Sequence, residues 1–374
     1  MKFIVSQSDL LVALTAASQA IPNRPSHQVL GCFHVVAHAE SVVIRGFDLS
    51  MGIEFTIPAS VGTEGVILIP GAKQFKEIVS KLSDGEITIE SEENTITLTA
   101  TSGVYEFQTT SPDEYPDIPV PENPPIELYS QPLKAGFESV LYAVSFEETK
   151  QLLTGVNIKT KDGYLYFAGT DGHRLSTCVV ANDLGELPEV TIPKYAISAM
   201  LKMLPNYETD VIHISCDNTG IEFKSGNVRV YSRVLEGAYP RYDQLIPTQF
   251  LGVVKVNRIA LLKALDRVSV LIESRNAVVK CSFGMLGIAT ISGESDGSKG
   301  QEQLTIQPTT ELFQGESEYA IAFNVKYLVE ALKSFSCTEI ALHLNKPTSP
   351  VILKPVDEGE FSQLGLLMPV QLRD

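Results

Sequence analysis

The chain has 374 residues, a formal net charge of −16, 44% hydrophobic and 20% charged residues, ordinary globular proportions for two or three domains. No stretch approaches the ~18 apolar residues of a membrane helix, and the opening MKFIVSQSDLLVAL has too short an apolar run for a signal peptide, with Asp9 interrupting it. Five scattered cysteines (Cys32, Cys178, Cys216, Cys281 and Cys337) with no C-x-x-C pair argue against a disulfide framework or a zinc site and point to a reducing, cytoplasmic setting.

In chain order, a helical pattern begins near Ser6 and ends by residue 21. The run CFHVVAHAE follows. His34 and His38 stand four apart there, a metal-binding spacing on a helix, but in a strand such residues lie ~13 Å apart, so they read as ordinary strand residues. Residues 41–57 alternate as strands. GVILIPG at 65–71 lacks the Gly-Lys-Ser/Thr of a phosphate loop. Ile69-Pro70 opens the helical pattern 72–82, and 86–110 reads as hairpins turning at 92–94 and 102–103. Residues 111–127, with six prolines, read as a linker.

The same order then returns. A helix is expected over 131–145, strands over 163–180, a helix over 193–204 opened by Ile192-Pro193, hairpins over 211–234 and a second linker over 236–250. It returns once more with a helix over 257–271, strands over 277–293, a helix over 324–335 opened by Phe323-Asn324, strands over 339–356 and the closing MPVQL at 368–372. Pro70 and Pro193 are 123 residues apart, and Asn324 follows 131 later. The expected fold is α+β, with three tandem similar domains at 1–120, 121–247 and 248–374, each with antiparallel sheets outside and two helices inside.

Charge is unevenly placed. The six helical patterns hold 11 Lys or Arg against 5 acids, while the whole chain is −16. A basic helical face in an acidic body suggests a local polyanion site, with Lys134, Lys194 and Lys202 among its members; the plainer reading is that lysine simply favours helices. If the repeats close a ring with helices inside, six helices at ~9 Å spacing leave almost no hole, whereas twelve leave an opening of ~25 Å, enough for a nucleic-acid duplex. A nucleic-acid ring therefore requires two chains joined head to tail.

GTDGHRLSTC (169–178), EGAYPRYDQLIP (236–247), FNVKYLVEAL (323–332) and the terminal MPVQL make the chain resemble the bacterial sliding clamps, the beta subunits of replicative DNA polymerase, along essentially its whole length. The resemblance implies a homodimeric ring around double-stranded DNA without sequence preference, no cofactor, no metal and no catalysis by the chain itself. It implies as partners the polymerase catalytic subunit, a clamp loader and repair proteins that dock short hydrophobic motifs. It places DNA contacts at Arg24 and Lys73. In the loop 145–155, Gln151 and Leu152 stand where some members carry aromatics and Glu147-Glu148 add negative charge, which leaves Lys150 as that loop's phosphate contact. The implied partner pocket, between the second and third domains, comprises Leu153, Thr170, Gly172, His173, Arg174 and Leu175, with Pro240, Leu245, Met368, Pro369, Val370 and Leu372. Such a set is largely apolar, as a groove for a hydrophobic anchor requires, and methionine repacks easily around varied partners. Gln244 and Gln371 replace arginines of some members, and Arg373-Asp374 extend the end.

Two other readings compete. Asp171, His173 and Arg174 could form the acid/base cluster of a hydrolase or transferase, although no nucleophile motif accompanies them and Asp171-Gly172 is a strong turn dipeptide. Alternatively, the repeats could form a scaffold unrelated to DNA.

Overall fold

The computed structural model describes residues 1–182, 185–203, 211–272, 277–295, 297–357, 359 and 361–371. The first repeat runs β1 (Lys2–Ser6), α1 (Gln7–Ala17), β2 (Phe33–His38), β3 (Ser41–Phe47), β4 (Met51–Pro58), β5 (Ser60–Thr63), β6 (Gly65–Ile69), α2 (Ala72–Lys81), β7 (Glu86–Glu92), β8 (Thr95–Ala100) and β9 (Gly103–Gln108). The second runs β10 (Ile126–Tyr129), α3 (Ser130–Val140), β11 (Gly155–Lys161), β12 (Tyr164–Thr170), β13 (Arg174–Ala181), β14 (Val190–Pro193), α4 (Lys194–Met203), β15 (Val211–Cys216), β16 (Gly220–Ser225) and β17 (Val228–Arg233). The third runs β18 (Gly252–Asn257), α5 (Arg258–Ser269), β19 (Val278–Gly284), β20 (Ile288–Ser295), β21 (Ser298–Pro308), β22 (Glu318–Asn324), α6 (Val325–Ser334), β23 (Glu339–Leu344), β24 (Val351–Pro355) and β25 (Ser362–Leu367). Residue 204, inside the fourth expected helix, lies outside the described residues.

Each repeat is therefore α+β, with two α-helices. Helices α1, α5 and α6 start where polar caps satisfy their first N–H groups. Ser6 Oγ accepts from the Asp9 amide, Asn257 Oδ1 from that of Ala260, and Asn324 Oδ1 from those of Lys326 and Tyr327. The inward stripe of α1 is small, with buried Ala13 and Ala17 beside Leu10 and Leu14, so the helix lies close on β3 and β4. At Gly46 of β3 a Cβ would sit 2.1 Å from the Ala17 carbonyl oxygen. Because that oxygen is main chain, no rotamer change relieves the overlap. Gly46→Ala is expected to cost about 1–3 kcal/mol, read as a lowered unfolding midpoint in denaturant.

The sheets cross the repeat boundaries. One has five strands, β5-β1-β7-β8-β9. The second is β10-β15-β16-β17-β4-β3-β2-β6, in which β17 of the second repeat pairs antiparallel with β4 of the first, from Val228↔Phe55 to Ser232↔Met51. The third is β14-β11-β12-β13-β25-β24-β23-β18-β21-β20-β19-β22, in which β25 of the third repeat pairs with β13 of the second, from Arg174↔Leu367 to Val179↔Ser362. The chain accordingly groups into two compact units that do not follow the repeats: Met1–Gln131 with Tyr195–Val234, and Pro132–Lys194 with Leu235–Asp374.

The first linker is a strap rather than a free tether. Tyr115 stacks on His34 with ring centroids 4.7 Å apart, and Ile118 is buried beside Phe47 and Tyr231. Arg229 Nη2 donates to the Pro119 carbonyl at 2.8 Å, and Asn123 Nδ2 to that of Cys216 at 2.7 Å. Its prolines carry no N–H to leave unpaired as it packs. Beneath it, Arg45, Glu54, Arg229 and Glu222 form a chain of ion pairs at 2.6, 3.1 and 2.6 Å across β3, β4, β17 and β16. His34 and His38 lie on β2, as the strand reading expects. Burial and the nearby Arg45 guanidinium push the His34 pKa down to about 4, which keeps it neutral, while exposed His38 meets Glu64 at 2.9 Å.

Candidate functional site

The hairpin turn between β12 and β13 is built around Asp171. Its Oδ1 accepts from the amides of His173 and Arg174 at 2.8 and 3.1 Å, and its Oδ2 from Arg174 Nε at 3.0 Å. Gly172 takes φ +92°, the left-handed region that suits glycine, and Thr170 Oγ1 closes the turn by donating to the Arg174 carbonyl at 2.6 Å. The Arg174 side chain is 2% exposed. It also pairs with Glu330 of α6 and lies between the rings of Tyr327, 4.4 Å from the guanidinium carbon, and Tyr142, at 5.4 Å. These partners engage Asp171 and Arg174 structurally. His173 is exposed, its ring 6.4 Å from that of Tyr327. The hydrolase reading gains no support from this arrangement. Nor do the cysteines offer a nucleophile: burial pushes the thiol of Cys178 up to about 11 and those of Cys216 and Cys281 up to about 12.

An apolar floor lies behind this turn. Leu175, Ala168, Tyr239, Tyr242, Ile352 and Leu366 are buried together, with Leu153, Ile246, Phe250 and Leu364 packed against them. The second linker crosses here and leaves Pro240, Gln244 and Leu245 exposed, Leu245 at 63%. The terminal segment is tied down on the other side. The Met368 amide donates to the His173 carbonyl at 3.0 Å and the Val370 amide to that of Ala322 at 2.8 Å, leaving Met368 42% exposed, Pro369 and Val370 half-buried, and Gln371 exposed. An apolar floor with exposed Leu245 and Met368 suits an aliphatic or aromatic anchor. Leu372, Arg373 and Asp374 lie outside the described residues.

The basic candidates are placed unequally. Arg24 is exposed in the turn after α1, Lys73 is exposed in the first turn of α2, and Lys202 is exposed on α4 with its Nζ 3.4 Å from Gln19 Oε1. Lys134 is half-buried on α3. Lys150 is paired with Glu147 at 3.1 Å. Lys194 sits 4.0 Å over the Phe146 ring, and burial, then the Arg174 charge, lowers its pKa. Other helical cations turn away from a polyanion role. Arg258 donates to the carbonyls of Cys337 and Leu332, and Arg267 grips Glu302 with two bonds. The surplus of 11 over 5 thus overstates the charge available to a ligand. Sequence reasoning missed Tyr142, Tyr327 and Glu330, which gather around Arg174 only through tertiary contact, and Phe146, 72% exposed. Among the described residues no group of three His, Cys, Asp or Glu could hold a metal ion, and no helix is long and apolar enough to cross a membrane.

Comparison with known proteins gives matches to three family models: the DNA polymerase III beta subunit N-terminal domain over residues 1–119, its central domain over 127–241 and its C-terminal domain over 243–371. The beta sliding clamps of Synechococcus elongatus and Synechocystis are each 36% identical, over the full length of both chains. The solved sliding clamp of Bacillus subtilis superposes with a TM-score of 0.93 at 28% identity over all of both chains, and a beta subunit structure from Eubacterium rectale with 0.90 at 26% over 99% of each.

Proposed function

This chain belongs to the DNA polymerase III beta subunit family, the beta sliding clamps, and from that premise we propose that two copies close head to tail around duplex DNA and slide on it. The observation that carries this reading is the way the repeats join. At each internal junction the last strand of one repeat pairs with the strand that closes the long hairpin of the repeat before it, β17 with β4 and β25 with β13. Among the described residues, the one such pair not made within the chain is β9 with β21. Strand β9 is the edge of its sheet, and residues 298–305 of β21 have a partner on one side, β20. Two copies related head to tail supply the missing pair twice. We take the repeat boundaries at 120/121 and 247/248.

Arg24, Lys73, Lys134, Lys150, Lys194 and Lys202 are then the DNA-facing cations. They attract phosphate diffusely and read no sequence, so the barrier to sliding stays low. The pocket of Leu153, Thr170, Gly172, His173, Arg174, Leu175, Pro240, Leu245, Met368, Pro369, Val370 and Leu372 takes the short hydrophobic segment of a polymerase, a loader or a repair protein. Tethering through it raises the partner's effective concentration at the template. The chain contributes no chemistry and acts in the cytoplasm, where its DNA is.

Covalent closure of both β9–β21 joints by engineered crosslinks is expected to retain the loaded protein on nicked circular DNA through a high-salt wash and to release it from linear DNA. Equal loss from both would refute encirclement.

A further inference from the structure

The first junction carries a cavity of about 520 Å³ with Val29, Leu30, Leu49, Thr110, Glu114 and Pro116 on its walls. Its position follows the internal repeat. Adding 123 to the numbers of β3 and β4 gives β12 and β13, and the same shift takes Leu30 to Leu153 and Leu49 to Gly172. Tyr115-Pro116 corresponds to Tyr239-Pro240 with a shift of 124, one residue more. Three wall residues of this cavity therefore occupy the places of Leu153, Gly172 and Pro240.

The supporting hydrogen bonds repeat as well. Asp48 Oδ1 accepts from the amides of Ser50 and Met51 at 2.8 and 2.6 Å, as Asp171 does from those of His173 and Arg174. The Arg233 amide donates to the Ser50 carbonyl at 2.8 Å, as that of Met368 does to His173. Two differences give the first junction its own character. Leu49 stands at φ +75° where Gly172 stands at +92°, so a branched side chain, 39% exposed, is held over the opening in a conformation that disfavours it. The strap beside it presents exposed Asp113, Glu114 and Asp117 and no cation, with Glu114 on the cavity wall.

We infer that this cavity is a second partner pocket, which takes a short segment whose apolar anchor enters between Val29, Leu30 and Leu49 and whose flanking lysine or arginine meets Glu114. The inference rests on the reading of the second-junction pocket given above. Apolar walls supply the affinity and the acidic strap selects the flank, so the two pockets of one chain prefer different segments.

The test is calorimetric titration of the full-length protein with a synthetic hexapeptide ending in Leu-Phe and preceded by two lysines. It is repeated on a chain lacking Met368–Asp374 and on Val29→Asp and Glu114→Lys variants whose folding is checked by thermal melting. Two sites per chain are expected, falling to one on truncation and to one in Val29→Asp, with Glu114→Lys weakening the first-junction site about threefold, as befits an exposed charge pair. One site in the full chain and none after truncation would overturn the second pocket and leave the second-junction reading intact. One site that survives truncation but is lost in Val29→Asp would support the second pocket and refute the second-junction reading. No binding at all would refute both.

Discussion

Arg174→Ala is expected to be among the most destabilising single changes in this chain, at about 3–4 kcal/mol, because it strands two carboxylates around a vacated buried site. Asp171 and Glu330 both face the guanidinium, and the rings of Tyr142 and Tyr327 flank it. Asp171 keeps its two amide donors, and Glu330, 31% exposed, regains some hydration. These residual contacts hold the loss below the upper range for broken buried pairs. In a unit of this size the melting transition should fall by roughly 10 °C. The double variant Arg174→Met with Glu330→Leu should recover part of it, since an apolar replacement leaves fewer unpaired charges. A parent-like melting curve for Arg174→Ala would show that the network contributes little, and that its burial reflects packing alone.

Val104→Glu combined with Val270→Glu is expected to convert a particle near twice 40.8 kDa into a 40.8 kDa monomer. Val104 lies on the edge strand β9 and is 60% exposed, and Val270, at the end of α5, is 82% exposed. At the equivalent helix ends of the other repeats, Ala20 of the first and Ala143 with Val144 of the second are buried. Lys202 of α4 reaches Gln19 beyond the end of α1, and Tyr142, just past α3, lies against the Arg174 cluster that includes Glu330 of α6. We expect a second copy to cover Val270 and Val104 in the assembled particle. Light scattering after gel filtration reads the outcome directly; an unchanged mass would place the contact elsewhere.

The repeat, the six helices and most hairpins were legible because their periodicities are strong. The turns fall at 93–94 and 101–102, against 92–94 and 102–103 expected, because Glu92 still pairs in β7 and Gly103 already begins β9. The strands β1, β10 and β18 were not legible, since each is short and runs directly into a helix. The prolines of 111–127 mark a linker, and nothing local announces that Tyr115 stacks on His34. Helical charge was visible only as a count, and the sequence does not say that Arg258 and Arg267 are engaged elsewhere. At the pocket, the Asp171-Gly172 turn was readable from chemistry and the surrounding set from resemblance. Leu49 escaped notice because a leucine in an Asp-Leu-Ser turn gives no sign of a positive φ.

Since strands of neighbouring repeats pair across both internal junctions by one rule, a ring that closes by the same rule makes copy number and chain length separable. A chain shortened to its first and last repeats would still end in one unpaired strand of each kind. If six repeats close the circle, as twelve helices around a duplex require, such a shortened polypeptide would assemble as a trimer. Subunit stoichiometry in this architecture is then an accident of where the gene stops, while the circumference belongs to the repeat.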